Sequence, residues 1–104
     1  MPAVRTHVTY RPKKGKEEEL LALVRKHGPA LESTGLITGG APTVYRARNI
    51  RTGDVSFVEI FSWRDEKASG LAHQTPEVMA VWEPMTPLLE GLELNVIESL
   101  SGEK

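Results

Sequence analysis

Val55-Ser-Phe-Val-Glu-Ile-Phe-Ser-Trp63 is the stretch whose reading decides the fold. Successive side chains of a β-strand point to opposite sides, so Phe57, Phe61 and Trp63 share one face with Glu59, while Val58 and Ile60 take the other. Both faces are apolar. A strand with one wet face alternates with polar residues, so this one is expected to be covered on both sides. Helices of the same chain can cover one face. The other predicts a second copy, packed through a two-fold isologous interface.

Upstream of this strand, Thr43 to Ile50 alternates as a hairpin partner, with a turn at Arg51-Thr-Gly-Asp54. Pairing Ile50 with Val55 sets Tyr45 against Ile60, Ala47 against Val58, Val44 against Phe61 and Arg46 against Glu59, and a bulge at Gly53 would shift that register. Gly39-Gly-Ala-Pro42 reads as a loop. Before it, Lys16 to Thr34 reads as a helix. Glu17, Glu18 and Glu19 sit at its positive end, Leu20, Val24, His27 and Leu31 form its buried stripe, and Gly35 ends it. Pro29 is expected to kink or interrupt it. Val4 to Tyr10 alternates as a first strand.

Downstream, Asp65 can cap a short helix, Glu66 to His73. Thr75 then caps a second one with Pro76 at its first position. Val78, Val81, Trp82, Met85, Leu88 and Leu89 form its stripe, Pro84 and Pro87 imply bending or early termination, and Gly91 ends it. Leu92 to Leu100 reads as the last strand, with Ser101 to Lys104 as a tail. The order β-α-β-β-α-β is the split βαβ plan: an α+β fold with a four-stranded antiparallel sheet carrying its helices on one face.

The chain has 104 residues, enough for one domain, 1–104, and too few for two. With no Cys there is no disulfide, thiolate metal site or cysteine nucleophile, and a cytoplasmic location is expected. Thirteen Lys+Arg against fourteen Asp+Glu, net −1, gives no electrostatic reason to bind nucleic acid. No apolar run approaches the ~20 residues of a membrane span, and the first residues lack a signal peptide's apolar region. The three His are scattered without metal-ligand spacing, and no glycine-rich phosphate loop stands between strand and helix. No metal and no cofactor are expected.

Phe57-Val-Glu-Ile-Phe-Ser-Trp63, the acidic Arg64-Asp-Glu-Lys67 and Ala72-His-Gln-Thr-Pro-Glu-Val78 followed by Trp82 resemble the dimeric α+β barrel superfamily, in particular its antibiotic-biosynthesis-monooxygenase-like branch. The resemblance runs from Val4 to about Ile97. It implies a ferredoxin-like fold, a homodimer, a ligand pocket between sheet and helices and, in some members, cofactor-independent oxidation of phenols or quinols by O2. Haem-degrading members also belong to the branch, and many members have no assigned reaction. The quinone-forming members carry an Asn and a Trp four apart on the third strand. Glu59 and Trp63 stand there, so the Trp is kept and the Asn is not. Their Tyr six residues after that Trp is matched by Ser69, and their last-helix Arg falls near Glu83. The haem-degrading members' Asn, Trp and His fall near Val8, Ala72 and Trp82, which leaves no haem ligand and argues against haem degradation.

Glu59 therefore has two readings. It is a general base with a carboxyl raised by apolar neighbours, abstracting a phenolic or enolic proton, or it is the structural partner of Arg46 across the hairpin. His73 is a proton shuttle at the pocket mouth, or a helix-end residue bonding a free carbonyl. Trp63 stacks an aromatic ligand or fills the core, and Phe61 and Trp82 are the other candidates for a small aromatic substrate. His7 reads as structural within the dimer barrel, and His27 as a packed helix residue. The function implied is a cofactor-independent monooxygenase acting on small aromatic or polyketide-like compounds. The alternative is a non-catalytic dimeric ligand-binding or stress-related module.

Overall fold

The computed structural model describes residues 2–101. In chain order they form β1 (Val4–Pro12), α1 (Glu17–Ser33), β2 (Ile37–Arg48), β3 (Val55–Trp63), α2 (Ala68–Ala72), α3 (Pro76–Met85), a single 3-10 turn (Thr86–Leu88) and β4 (Leu89–Val96). The strands make one antiparallel sheet in the order β2-β3-β1-β4. Helices and sheet form two layers, and the body measures 40 × 37 × 18 Å.

Alternation along β3 and β1 sends Phe57, Phe61 and Trp63 with Val8 and Tyr10 toward the helices. There they meet Leu20, Val24 and Leu31 of α1 and Val78, Val81 and Met85 of α3 in a continuous core. The opposite sheet face carries Val58 and Ile60, both half-buried, and Tyr45, which is 53% exposed. No helix of the described residues is long and apolar enough to cross a membrane.

Several boundaries differ from the sequence reading, each for a local reason. Helix α1 runs unbroken through Pro29. It ends at Gly35 as expected, in a Schellman motif: Gly35 at φ 72° donates to the Glu32 carbonyl, and Leu36 donates to that of Leu31. Strand β2 begins at Ile37, because Gly39 and Gly40, both at positive φ, absorb a register break between Thr38 and Thr43 instead of forming a separate loop. The hairpin register also differs. Arg46 lies opposite Phe57, and Val44 lies opposite Glu59. The turn occupies Asn49 to Asp54, since the Asn49 side chain accepts the amides of Arg51 and Thr52 and the Asn49 carbonyl accepts that of Gly53. Arg46 is thus not the partner of Glu59. It reaches Glu18 at 3.5 Å and lies 5.8 Å from the Phe57 ring centre.

The short helix is trimmed to Ala68–Ala72. Pro76 opens α3 as expected, but the Thr75 hydroxyl donates backward to the Leu71 carbonyl at 2.8 Å and caps no amide of α3. Pro84 and Pro87 bring α3 to its end at Met85, so β4 starts at Leu89 and stops at Val96, earlier at both ends than the sequence suggested. Residues 102–104 of the expected tail lie outside the described residues.

Candidate functional site

Four elements bring one polar side chain each to the boundary between sheet and helices. Tyr10 comes from β1, Glu59 from β3, His27 from α1 and Trp82 from α3. Each sits on the inward face of its element, where the surrounding stripe is apolar, so among the described residues their side-chain hydrogen bonds run to one another. The Tyr10 hydroxyl donates to Glu59 Oε1 at 2.6 Å, and His27 Nδ1 lies 2.8 Å from the same oxygen. On the far side of the imidazole, the Trp82 indole N–H donates to His27 Nε2 at 2.7 Å.

The indole N–H is a donor only, so Nε2 must be the unprotonated nitrogen. Nδ1 then carries the proton and donates it to Glu59, which fixes the tautomer. Glu59 is fully buried and His27 is 2% exposed. Glu59 Oε2 has no hydrogen-bond partner among the described residues, so the carboxylate leans on two donors at one oxygen. Burial above all, then the charge of Glu59 and the hydrogen bond to it, pushes the Tyr10 hydroxyl well above its ordinary value. Tyr10 therefore stays a donor at neutral pH.

A cavity of about 560 Å³ opens beside this chain of hydrogen bonds. Its wall includes Tyr10, His27, Phe61, Trp63, His73 and Trp82. The aromatic side chains form one connected set: Phe61 meets Trp63 edge-on at 5.0 Å, His27 meets Phe61 at 5.9 Å, and His73 meets Trp82 at 4.9 Å. Leu92, Leu94 and Val96 of β4 complete the apolar floor. Asp65 and Glu66 stand at the rim. A hydrogen bond from the Arg64 guanidinium, then one from the Lys67 amide, holds the Asp65 carboxyl below the usual carboxylate range, so Asp65 is an ionised carboxylate paired with Arg64.

The structure thus places Phe61, Trp63, His73 and Trp82 around one cavity. Glu59 is not part of its wall, being closed off behind Tyr10 and His27, and it has no bond to His73. The sequence alone marks neither His27 nor Tyr10 as a site residue. The signal that could have found His27 is its place as the lone polar residue in the stripe Leu20, Val24, His27, Leu31. A buried polar group requires a partner, and Glu59 is another buried group with the same need. Among the described residues no group of three or more His, Asp or Glu comes together as a metal site would require.

No protein-family model and no curated protein matches the chain. Solved structures do. The chain is similar to an antibiotic biosynthesis monooxygenase at 12% identity and a TM-score of 0.72, over 93% of this chain and 98% of that one. It is similar to the Arabidopsis thaliana protein At3g17210 at 10% identity and a TM-score of 0.74, over 99% and 100% of the two chains. A third likeness is to a dimeric protein of unknown function and ferredoxin-like fold from Bacteroides fragilis, at 15% identity and a TM-score of 0.67, over 93% and 96%. Likeness at these identities establishes the fold. The chain is an α+β protein of ferredoxin-like architecture, and it shares that architecture with antibiotic biosynthesis monooxygenase structures.

Proposed function

We propose that the cavity binds a small aromatic or polyketide-like compound bearing an acidic hydroxyl or its keto tautomer, and that the protein promotes its oxidation by O2 without a cofactor. The observation that carries this reading is the buried Glu59–His27 pair, with His27 at the wall of an aromatic cavity large enough for a fused-ring ligand. Phe61 and Trp63 hold the ring. Once Nε2 is free, it takes the hydroxyl proton, and Glu59 stabilises the imidazolium that forms, as a carboxylate behind a histidine does in acyl-transfer triads. His27 is then the base and Glu59 the positioning residue. His73, exposed at the rim, relays protons to solvent.

The electron balance follows from the substrate. The anion gives electrons to O2 and forms a carbon–oxygen bond at the reactive ring carbon. The peroxide oxygen takes the proton back from His27. Loss of the carbon-bound proton then breaks the O–O bond, giving a quinone and water. For anthrone, whose tautomer is a phenol, one O2 yields one anthraquinone and one water.

The test is oxygen uptake with anthrone in a closed electrode cell, with anthraquinone followed by absorbance. Uptake should match product one to one, and Glu59→Gln, which keeps shape and removes charge, should lower it by about 100-fold or more. Uptake no faster than in buffer would end the oxygenase reading. One observation favours a second reading, a ligand-binding module without turnover: the Trp82 N–H occupies the basic nitrogen.

A further inference from the structure

The hydrogen bond between Trp82 and His27 sits where the proposed chemistry needs a free lone pair. Nδ1 is committed to Glu59, so Nε2 is the one acceptor His27 can turn toward the cavity, and the indole N–H fills it at 2.7 Å. The indole itself is only half-buried, borders the cavity and rests against the exposed His73 ring. It is carried on the last turn of α3, where Pro84 has no amide to bond the Ala80 carbonyl, so that turn has fewer hydrogen bonds than a regular one. Glu59, His27 and Tyr10 are walled in by contrast. The movable member of the set is Trp82.

We propose that Trp82 is a displaceable stand-in for the ligand: its N–H holds the Nε2 position until a ring-borne O–H or N–H donor exchanges for it, so that the cavity engages donors and leaves ring compounds without one unengaged at His27. The exchange conserves the number of hydrogen bonds to Nε2 and releases the indole N–H to water, which can satisfy it. A donorless ligand that moved the indole would strand a buried acceptor, and this penalty is what makes the site selective. The charge at the rim adds a second filter. No Lys or Arg among the described residues lines the cavity, and while Asp65 is paired with Arg64, the exposed Glu66 disfavours a carboxylate at its mouth. This inference rests on the cavity being a small-molecule site, and it does not depend on turnover.

The experiment uses 2-naphthol, 2-methoxynaphthalene and 2-naphthoate with the full chain under argon, where no oxidation occurs. In nitrogen-labelled wild type, saturating 2-naphthol should move the Trp82 indole N–H resonance from its bonded position toward that of a solvated indole. Saturating 2-methoxynaphthalene should leave it in place, and 2-naphthoate should bind most weakly. In Trp82→Phe the competitor is gone, so the preference for 2-naphthol over 2-methoxynaphthalene should rise by roughly 2- to 10-fold, the value of one neutral hydrogen bond. Using the ratio cancels the extra space left by the smaller ring. The indole readout needs no variant, so it decides the matter even if Trp82→Phe folds poorly. An indole signal unmoved at saturating 2-naphthol, a selectivity unchanged by Trp82→Phe, or no binding of 2-naphthol overturns the proposal. Absence of oxygen uptake with anthrone, while the naphthol results hold, would remove the oxygenase reading and leave this one standing.

Discussion

At Glu59 a carboxylate is fully buried against apolar rings, and what makes this tolerable is the pair of donors from Tyr10 and His27. The two candidate partnerships of Glu59 can be separated by double-mutant cycles on urea midpoints. Glu59→Gln with His27→Gln should show a coupling of about 1–3 kcal/mol, and Glu59→Gln with Arg46→Met should be additive to within about 0.5 kcal/mol, because Arg46 is on a different ion pair at the surface. Strong coupling to Arg46 would contradict the register. Tyr10 gives a pH test. The unfolded chain releases the tyrosyl proton near pH 10, while the folded chain holds it because burial and Glu59 raise its value. The unfolded state therefore binds fewer protons above pH 10, and stability is present below that pH and falls as pH rises, by up to about 1.4 kcal/mol per unit. The stability gap between wild type and Tyr10→Phe should stay level from pH 7 to 9 and narrow by pH 11; a gap that stays level throughout would mean the hydroxyl is not shielded. The sequence made Glu59 conspicuous but not its partners. An Arg on the neighbouring strand is a local choice, whereas His27 lies on another element, and i,i+4 spacing in an apolar stripe looks the same whether a His merely packs or is bonded.

Element boundaries follow local chemistry wherever one residue type can satisfy only one geometry. Gly35 is such a case. Its φ of 72° is a left-handed conformation that closes α1 onto β2. Gly35→Ala should cost about 1–2 kcal/mol, read as a lower urea midpoint with an unchanged slope. Nothing lies within 4 Å of the added methyl, so a cost near zero would show that the backbone at this turn relaxes freely. Thr75 is the opposite case. Its position before Pro76 reads as a helix cap, yet its hydroxyl bonds the Leu71 carbonyl, so no amide of α3 loses a partner when the hydroxyl goes. Thr75→Ala should accordingly cost less than the ~1 kcal/mol of a lost cap. The alternation of β1 and β3 was legible because period two needs no knowledge of partners. Register was not, since it depends on the turn, and the Asn49 side chain moves the turn's start upstream of where glycine and aspartate alone would put it.

The whole molecule exposes 6914 Å², against roughly 5,800 Å² for a compact monomer of its mass. Part of that excess lies on the sheet face away from the helices, where Val58 and Ile60 are half-buried and Tyr45 stands exposed, and part on β4, where Leu94 is 67% and Val96 76% exposed. Four strands about 4.8 Å apart and roughly 30 Å long offer on the order of 600 Å² in projection, comparable with the ~800 Å² per partner of a stable interface. Val58 and Ile60 on the bare face of a two-layer slab are most simply covered by the same face of a second copy, which gives a closed two-fold dimer rather than an open chain. Sedimentation at micromolar concentration should therefore give a mass near twice 11.5 kDa. Ile60→Lys should shift it toward the monomer, because an interface over this face would bury the charge, while in an isolated chain the lysine would extend into water. Glu59, the cavity and the Trp82–His27 bond lie on the other side of the sheet. The Ile60→Lys monomer should consequently keep its 2-naphthol preference, while its stability, unlike that of a dimeric wild type, should no longer rise with protein concentration. A wild-type mass of one chain at high micromolar concentration would refute the dimer and leave Val58, Ile60 and Tyr45 an uncovered apolar face.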